Sequence, residues 1–168
     1  MKLHNWLIIM LTFMSTSCIS DDIAEGSSLI AEGDLLPEFT IIMDDGSTLS
    51  TGDLAGAPSL VMLFTTKCPD CRCELPVVEQ LHRLRPELRI VCIAREESAD
   101  NIESYWRENG LTLPYSPQPD RKIYNLFATE TVPRIYIADS HCTVTAAFGD
   151  TDMPTLEQLL QLTQIAAN

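Results

Sequence analysis

"SLVMLFTTKCPDCRCELP", Ser59 to Pro76, changes character halfway: an unbroken apolar run gives way to three cysteines within six residues. The run from Ser59 to Thr66 has no polar alternation, which predicts a strand buried on both faces of a sheet. A helix is predicted to follow through "ELPVVEQLHRL". Cys68 then falls where strand becomes helix, and there the unsatisfied backbone N–H groups and the positive end of the helix dipole stabilise a thiolate. Pro69 suits the first helical position, where a missing N–H costs nothing. Cys71 lies one turn on, in reach of a mixed disulfide formed at Cys68. Position and spacing make Cys68 the candidate nucleophile and Cys71 its resolver. Lys67 adds a cation that favours the thiolate, and Asp70 opposes it.

Glu74 stands six residues beyond Cys68, close enough to face the pair. Two readings stay open: a carboxyl that shuttles protons to Cys71, or a solvated first-turn glutamate favoured by the dipole. Cys73 is about 200° round the helix from Cys71, so it points away and is expected to pack rather than react. Cys92, inside the run "RIVCIA", reads as a small core hydrophobe. Cys142, in "DSHCTV", is expected to be exposed at a hairpin. A metal site would need a fourth ligand and a second half-site. "C-x2-C-x-C" supplies neither; His82 and His141 are possible completions, but no metal and no cofactor are expected.

Outward from this segment the chain alternates strand and helix signals. "EFTIIM" and "STLS" flank the turn dipeptide Asp45-Gly46 and predict a hairpin. "RIVCIA" (Arg89–Ala94) is a second buried strand. A helix is expected from a Ser98 cap to Asn109, with Gly110 as its stop. A Pro-containing loop and the short helical piece "DRKIYNLFA" precede a strand "PRIYIAD" and its hairpin partner "TVTAAF". An amphipathic helix with Leu156, Leu159, Leu160 and Thr163 on one side closes the chain. Strands alternating with helices imply an α/β sandwich.

The 168 residues are 45% apolar, enough for one domain with a real core. A net charge of −13 would repel a phosphate-rich partner, so nucleic acid is not expected. Lys2, the apolar run "WLIIMLTFM" and the small polar "STS" read as a secretory signal over residues 1–17, ending at Cys18. The run is far short of the roughly 20 residues that span a bilayer. "STSC" resembles a bacterial lipoprotein cleavage site, which implies a lipidated Cys18 and a membrane anchor. The acidic, Ser/Gly-containing stretch to Gly33 reads as a tether (18–33) that can extend roughly 50 Å, and the domain is expected over 34–168. Outside the cytoplasm thiols tend to be oxidised unless kept reduced. Five cysteines beyond Cys18 are an odd count, which argues against a pure disulfide framework.

"FTTKCPDCRCELP" together with "TVPRIYIAD" resembles the TlpA/ResA-like branch of exported, membrane-tethered thioredoxins, from about Asp34 to the C-terminus. Pro76 matches the proline that kinks the active-site helix, and Pro133 the proline that is cis in thioredoxin folds. Glu74 matches the family's active-site glutamate. The resemblance implies a three-layer α/β sandwich with a central mixed sheet and an added N-terminal β-hairpin. It implies a site of Cys68, Cys71, Glu74 and Pro133, with Val132 holding a substrate strand beside Pro69 and Lys67. Lys67 replaces the usual aromatic residue, and "DSH" replaces a strand-end Asp-Gly, so that hairpin is expected to be longer or bulged.

The activity implied is thiol–disulfide exchange on disulfides of exported proteins, more as reductant than oxidant, with a membrane-embedded thiol electron donor. The place implied is a Gram-negative cell envelope, lipid-anchored, on the periplasmic face. Acidic "ISDD" after Cys18 also resembles surface-export signals of some such lineages. A peroxiredoxin-type peroxidase shares the fold, and Thr65 stands as in Thr-x-x-Cys. Val61 replaces that family's proline, however, and Pro133 stands where its arginine is expected. A metal-binding or copper-delivery module on the same scaffold is the third class.

Overall fold

The computed structural model describes residues 28–167. The expected signal segment, Cys18 and the tether up to residue 27 lie outside them. Strands β1 (Thr40–Ile42) and β2 (Thr48–Ser50) pair antiparallel. Gly46 takes φ 82° in their turn, and the Asp45 carboxylate accepts the Ser47 N–H at 2.8 Å. β3 (Ser59–Phe64) is buried at every residue, as its unbroken apolar run predicts. Helix α1 (Pro69–Leu84) leads from it to β4 (Arg89–Ala94), which lies parallel to β3. α2 (Ala99–Asn109), β5 (Tyr115–Ser116), the antiparallel pair β6 (Arg134–Ala138) and β7 (Val144–Phe148), and α3 (Leu156–Ala166) complete the order.

The central sheet runs β5-β4-β3-β6-β7 and is mixed, parallel on one side of β3 and antiparallel on the other. It is the thioredoxin-like α/β sandwich with an added N-terminal hairpin. That hairpin covers the β5 edge: Asp44 N–H donates to Tyr115 O at 2.8 Å, and Ser116 Oγ to Ile42 O at 2.6 Å. Covering an edge in this way removes a template for pairing with another chain. α3 rests on α1, β6 and β7. Trp106 of α2 packs on Phe64 and Tyr115, with ring centroids 5.2 and 5.0 Å away.

Helix ends follow local chemistry, with one exception. Gly110 stops α2 in the left-handed conformation (φ 63°). Thr155 caps α3 reciprocally with Gln158, its Oγ1 accepting the Gln158 N–H at 3.3 Å and its own N–H donating to Gln158 Oε1 at 2.8 Å. Ser98 precedes α2 in extended geometry but makes no side-chain capping bond. "DRKIYNLFA" forms only a 3₁₀ turn at Tyr124–Leu126, and two-residue β5 lies in the stretch expected to be loop.

Three placements differ from expectation. Ser28 to Gly33, expected as free tether, is held against the domain: Leu29 N–H donates to Phe127 O at 2.8 Å and Gly33 N–H to Val144 O at 2.9 Å. Cys142 is 8% exposed rather than open to solvent. Its left-handed backbone (φ 61°) turns the thiol inward, 3.6 Å from the Thr51 carbonyl. Cys73 is exposed on α1 rather than packed. Cys92 is buried opposite Met62 and Tyr115, and both it and Cys142 are free thiols. The β6–β7 hairpin carries a bulge between Ile137 and Ala138.

Candidate active site

Cys68 occupies the N-cap of α1 in extended geometry, with Pro69 as the first helical residue. Its N–H donates to Thr65 O at 3.2 Å, and its carbonyl accepts the Arg72 N–H at 3.2 Å. The sulfur is half-buried and donates to the Val132 carbonyl at 3.3 Å. The next peptide bond, Val132-Pro133, is cis. Lys67, Pro69 and Asp70 are exposed around the sulfur, while Val132 and Pro133 are buried. The structure therefore brings together Cys68, Val132 and Pro133 from segments sixty residues apart, with Cys71 behind them.

Cys71 is fully buried, and burial drives its thiol far above the ordinary value. A hydrogen bond from the Thr65 backbone and the charge of Arg95 act the other way, and the neighbouring Cys68 adds to the rise. Such a thiol keeps its proton until a base removes it. Glu74 lies one turn further along α1, on the face that carries Cys71. It is 5% exposed, so the solvated reading fails, and its Oε1 has no hydrogen-bond partner among the described residues. Burial raises its pKa to about 7. A carboxyl in that condition holds or releases a proton near neutral pH.

Three further residues shape the site, and the sequence pattern assigned none of them a role there. Glu97 is buried, and its carboxylate accepts from Thr65 Oγ1 at 2.9 Å, from Thr66 N–H at 2.7 Å and from the Thr66 hydroxyl. Arg72 Nε donates to Thr66 O at 2.5 Å, which fixes the same dipeptide from the helix side. Arg95 N–H donates to Phe64 O at 2.8 Å. The parallel register Phe64↔Ala94 is the cause: residues following Ala94 must lie beside those following Phe64. Adjacent parallel strands put their C-terminal ends together, so "REE" after "RIVCIA" was the available signal.

A model of the Redoxin family matches residues 31–165. The chain belongs to the Redoxin family. Among curated proteins, the thiol-disulfide oxidoreductase ResA of Oceanobacillus iheyensis is 24% identical over 136 residues, covering 77% of this chain and 69% of ResA. Among solved structures, a putative protein disulfide isomerase from Bacteroides thetaiotaomicron superposes with TM-score 0.72 at 20% identity, over 83% of this chain and 90% of that one. A secreted disulfide oxidoreductase of Mycobacterium tuberculosis, homologous to E. coli DsbE, gives TM-score 0.68 at 20% identity, over 76% and 95%. The TlpA/ResA-like resemblance read from the cysteine segment agrees with these relatives.

In this Redoxin-family chain His82 sits in the last turn of α1, roughly 16 Å along the helix from Cys71, and His141 in the β6–β7 turn. Neither joins the cysteines. Among the described residues no group of three or more His, Cys, Asp or Glu is placed to hold a metal ion. No described helix is long and apolar enough to cross a membrane.

Proposed function

We propose that this protein is a thiol–disulfide oxidoreductase that reduces disulfides of exported proteins. The observation that carries the reading is the contrast between the two sulfurs: Cys68 half-exposed against the Val132 carbonyl beside a cis proline, and Cys71 sealed behind it. The Cys68 thiolate attacks one sulfur of the substrate disulfide, and the other leaves as a thiolate that takes up a proton. Glu74 accepts the Cys71 proton, and the Cys71 sulfur attacks Cys68 Sγ. The substrate's second sulfur leaves, and a Cys68–Cys71 disulfide remains. Two electrons pass from the dithiol to the substrate, and a membrane-embedded thiol donor restores the pair, as the family resemblance implies. Val132 and Pro133 offer the backbone edge for a substrate strand, with Lys67 and Pro69 exposed beside it.

The peroxidase reading needs the Thr65 hydroxyl at the sulfur. That hydroxyl donates to Glu97 instead, which supports the oxidoreductase. Removing the resolver prolongs the covalent intermediate, so Cys71→Ser is expected to trap partner proteins in the cell envelope, with Cys71→Ser/Cys73→Ser as control for substitution by the exposed third thiol. Peroxide reduction by Cys71→Ser at the wild-type rate, with no protein captured by either variant, would overturn the assignment. The anchor reading rests on "STSC": residues 1–17 are removed and Cys18 is lipidated, holding the domain at the periplasmic face of a Gram-negative envelope. Mass spectrometry of the native N-terminus tests it, and an unmodified end at another residue would retire it.

A further inference from the structure

Residues 129–133, which approach the sulfur, have no regular secondary structure, so their carbonyls depend on partners outside any ladder. Three successive carbonyls are taken by one group of side chains. Arg121 Nη2 donates to Thr129 O at 2.6 Å, Arg95 Nη1 to Glu130 O at 2.6 Å, and Tyr124 Oη to Thr131 O at 2.8 Å. The three donors are themselves one unit. The Arg95 and Arg121 guanidiniums stack on the Tyr124 ring, 5.0 and 4.9 Å from its centroid, and that ring is fully buried. Cations over an aromatic face attract it, more strongly where water is excluded. Glu96 pairs with Arg121 at 3.4 Å and ties the end of β4 to the same unit. The next carbonyl along the chain, that of Val132, faces the Cys68 sulfur.

We propose that Arg95, Tyr124 and Arg121 act together as positioning residues that hold the 129–132 segment so that Val132 presents its backbone edge to a substrate strand beside Cys68. The inference rests on the oxidoreductase reading. Its physical basis is register: backbone pairing with a docked strand needs the donor and acceptor at hydrogen-bond distance, and an unrestrained loop pays ordering entropy at each docking event. The stack removes that cost beforehand. Arg134 also reaches Thr131, through Nε to its carbonyl at 3.2 Å, so loss of one stacked group loosens the segment without releasing it.

The test uses insulin as disulfide substrate, with dithiothreitol recharging the dithiol, together with hydrogen–deuterium exchange over 129–134. Arg121→Met is expected to raise KM about tenfold with kcat within about twofold, the signature of lost binding shared by ground and transition states. Exchange over 129–134 should quicken while the rest of the domain keeps its protection. Arg121→Lys retains the cation and one donor and should recover part of the affinity. Tyr124→Phe, which keeps the ring and loses only the bond to Thr131, should raise KM about threefold and guards against a variant that does not fold. An active wild type whose KM is unmoved by Arg121→Met and Tyr124→Phe overturns the positioning role. A wild type inert on insulin, with exchange quickened in the variants, defeats the oxidoreductase reading and leaves the loop restraint standing. Unchanged exchange defeats the restraint as well.

Discussion

Glu74 and Glu79 sit five residues apart on α1, and each is 5% exposed. Their surroundings have little else in common. Glu79 accepts from Thr112 N–H at 2.7 Å, Thr112 Oγ1 at 2.8 Å, Leu113 N–H at 3.2 Å and Arg83 Nε at 2.8 Å. Burial by itself would raise its pKa, but the bonds from Thr112 and Arg83 outweigh that and hold the carboxyl below its ordinary value. Glu74 lacks such donors on Oε1 and is pushed up to about 7. Equal burial thus yields opposite chemistry. A buried carboxylate with a full set of donors is a structural tie between α1 and the segment before β5, and one without them is poised to exchange a proton.

The largest expected effect is on the tie. Glu79→Ala leaves two backbone N–H groups and a hydroxyl without their acceptor and should cost about 4 kcal/mol in urea unfolding. A cost below about 1 kcal/mol would mean that water replaces the carboxylate there.

The second expectation concerns stability against pH. Glu74 binds its proton more tightly folded than unfolded, so its contribution is fully present below about pH 4.5 and is lost as pH rises through about 7. The wild type should lose up to about 3 kcal/mol over that window, and Glu74→Gln should not. Parallel stability profiles for the two proteins would remove the comparison's premise. Glu79, with its lowered pKa, acts in the other sense: its stabilisation is present above the ordinary carboxylate range and fades as pH falls through its folded value.

Third, Glu74→Gln should slow disulfide reduction about tenfold at pH 7 and erase the rise in rate toward pH 7, because the proposed acceptor of the Cys71 proton is gone. Stopped-flow turnover from pH 5 to 9 reads this, and an unchanged profile would leave Glu74 as a buried charge without a task. The smallest effect is expected at Arg83, whose side chain is 61% exposed. Arg83→Met should cost only about 0.5 kcal/mol, since a solvated guanidinium adds little beside the buried N–H donors. A loss as large as that of Glu79→Ala would shift the tie to the ion pair.

How much of this was legible beforehand differs residue by residue. Cys68 at a strand–helix junction, Cys71 one turn on and the prolines at 76 and 133 are local or family signals, and they marked a candidate site before any coordinates. Glu74 was visible as a candidate, but its two readings differ only in burial, which depends on what packs over α1. Arg121 and Tyr124 carried no pattern of their own, and Arg95 and Glu97 only their place after a buried strand, because they reach the site through the β3–β4 register and the fold of the loop before β6. Cys142 was misjudged for the same kind of reason: a turn residue in the left-handed region aims its side chain by backbone dihedral, which composition does not report.

By itself, then, the amino-acid order determined the alternation of buried strands and helices, the place of the cysteine pair at the end of β3, and a charge that disfavours phosphate partners. These rest on periodicity, capping chemistry and net charge, all of which act between near neighbours in the chain or on the chain as a whole. Only the tertiary structure decided which glutamate is tied and which is free to titrate, and which side chains hold the loop before Pro133. Those outcomes depend on partners brought in from segments about 30 residues away, as where Thr112 donates to Glu79 and Thr66 donates to Glu97, and no local pattern encodes a distance between two elements until they pack.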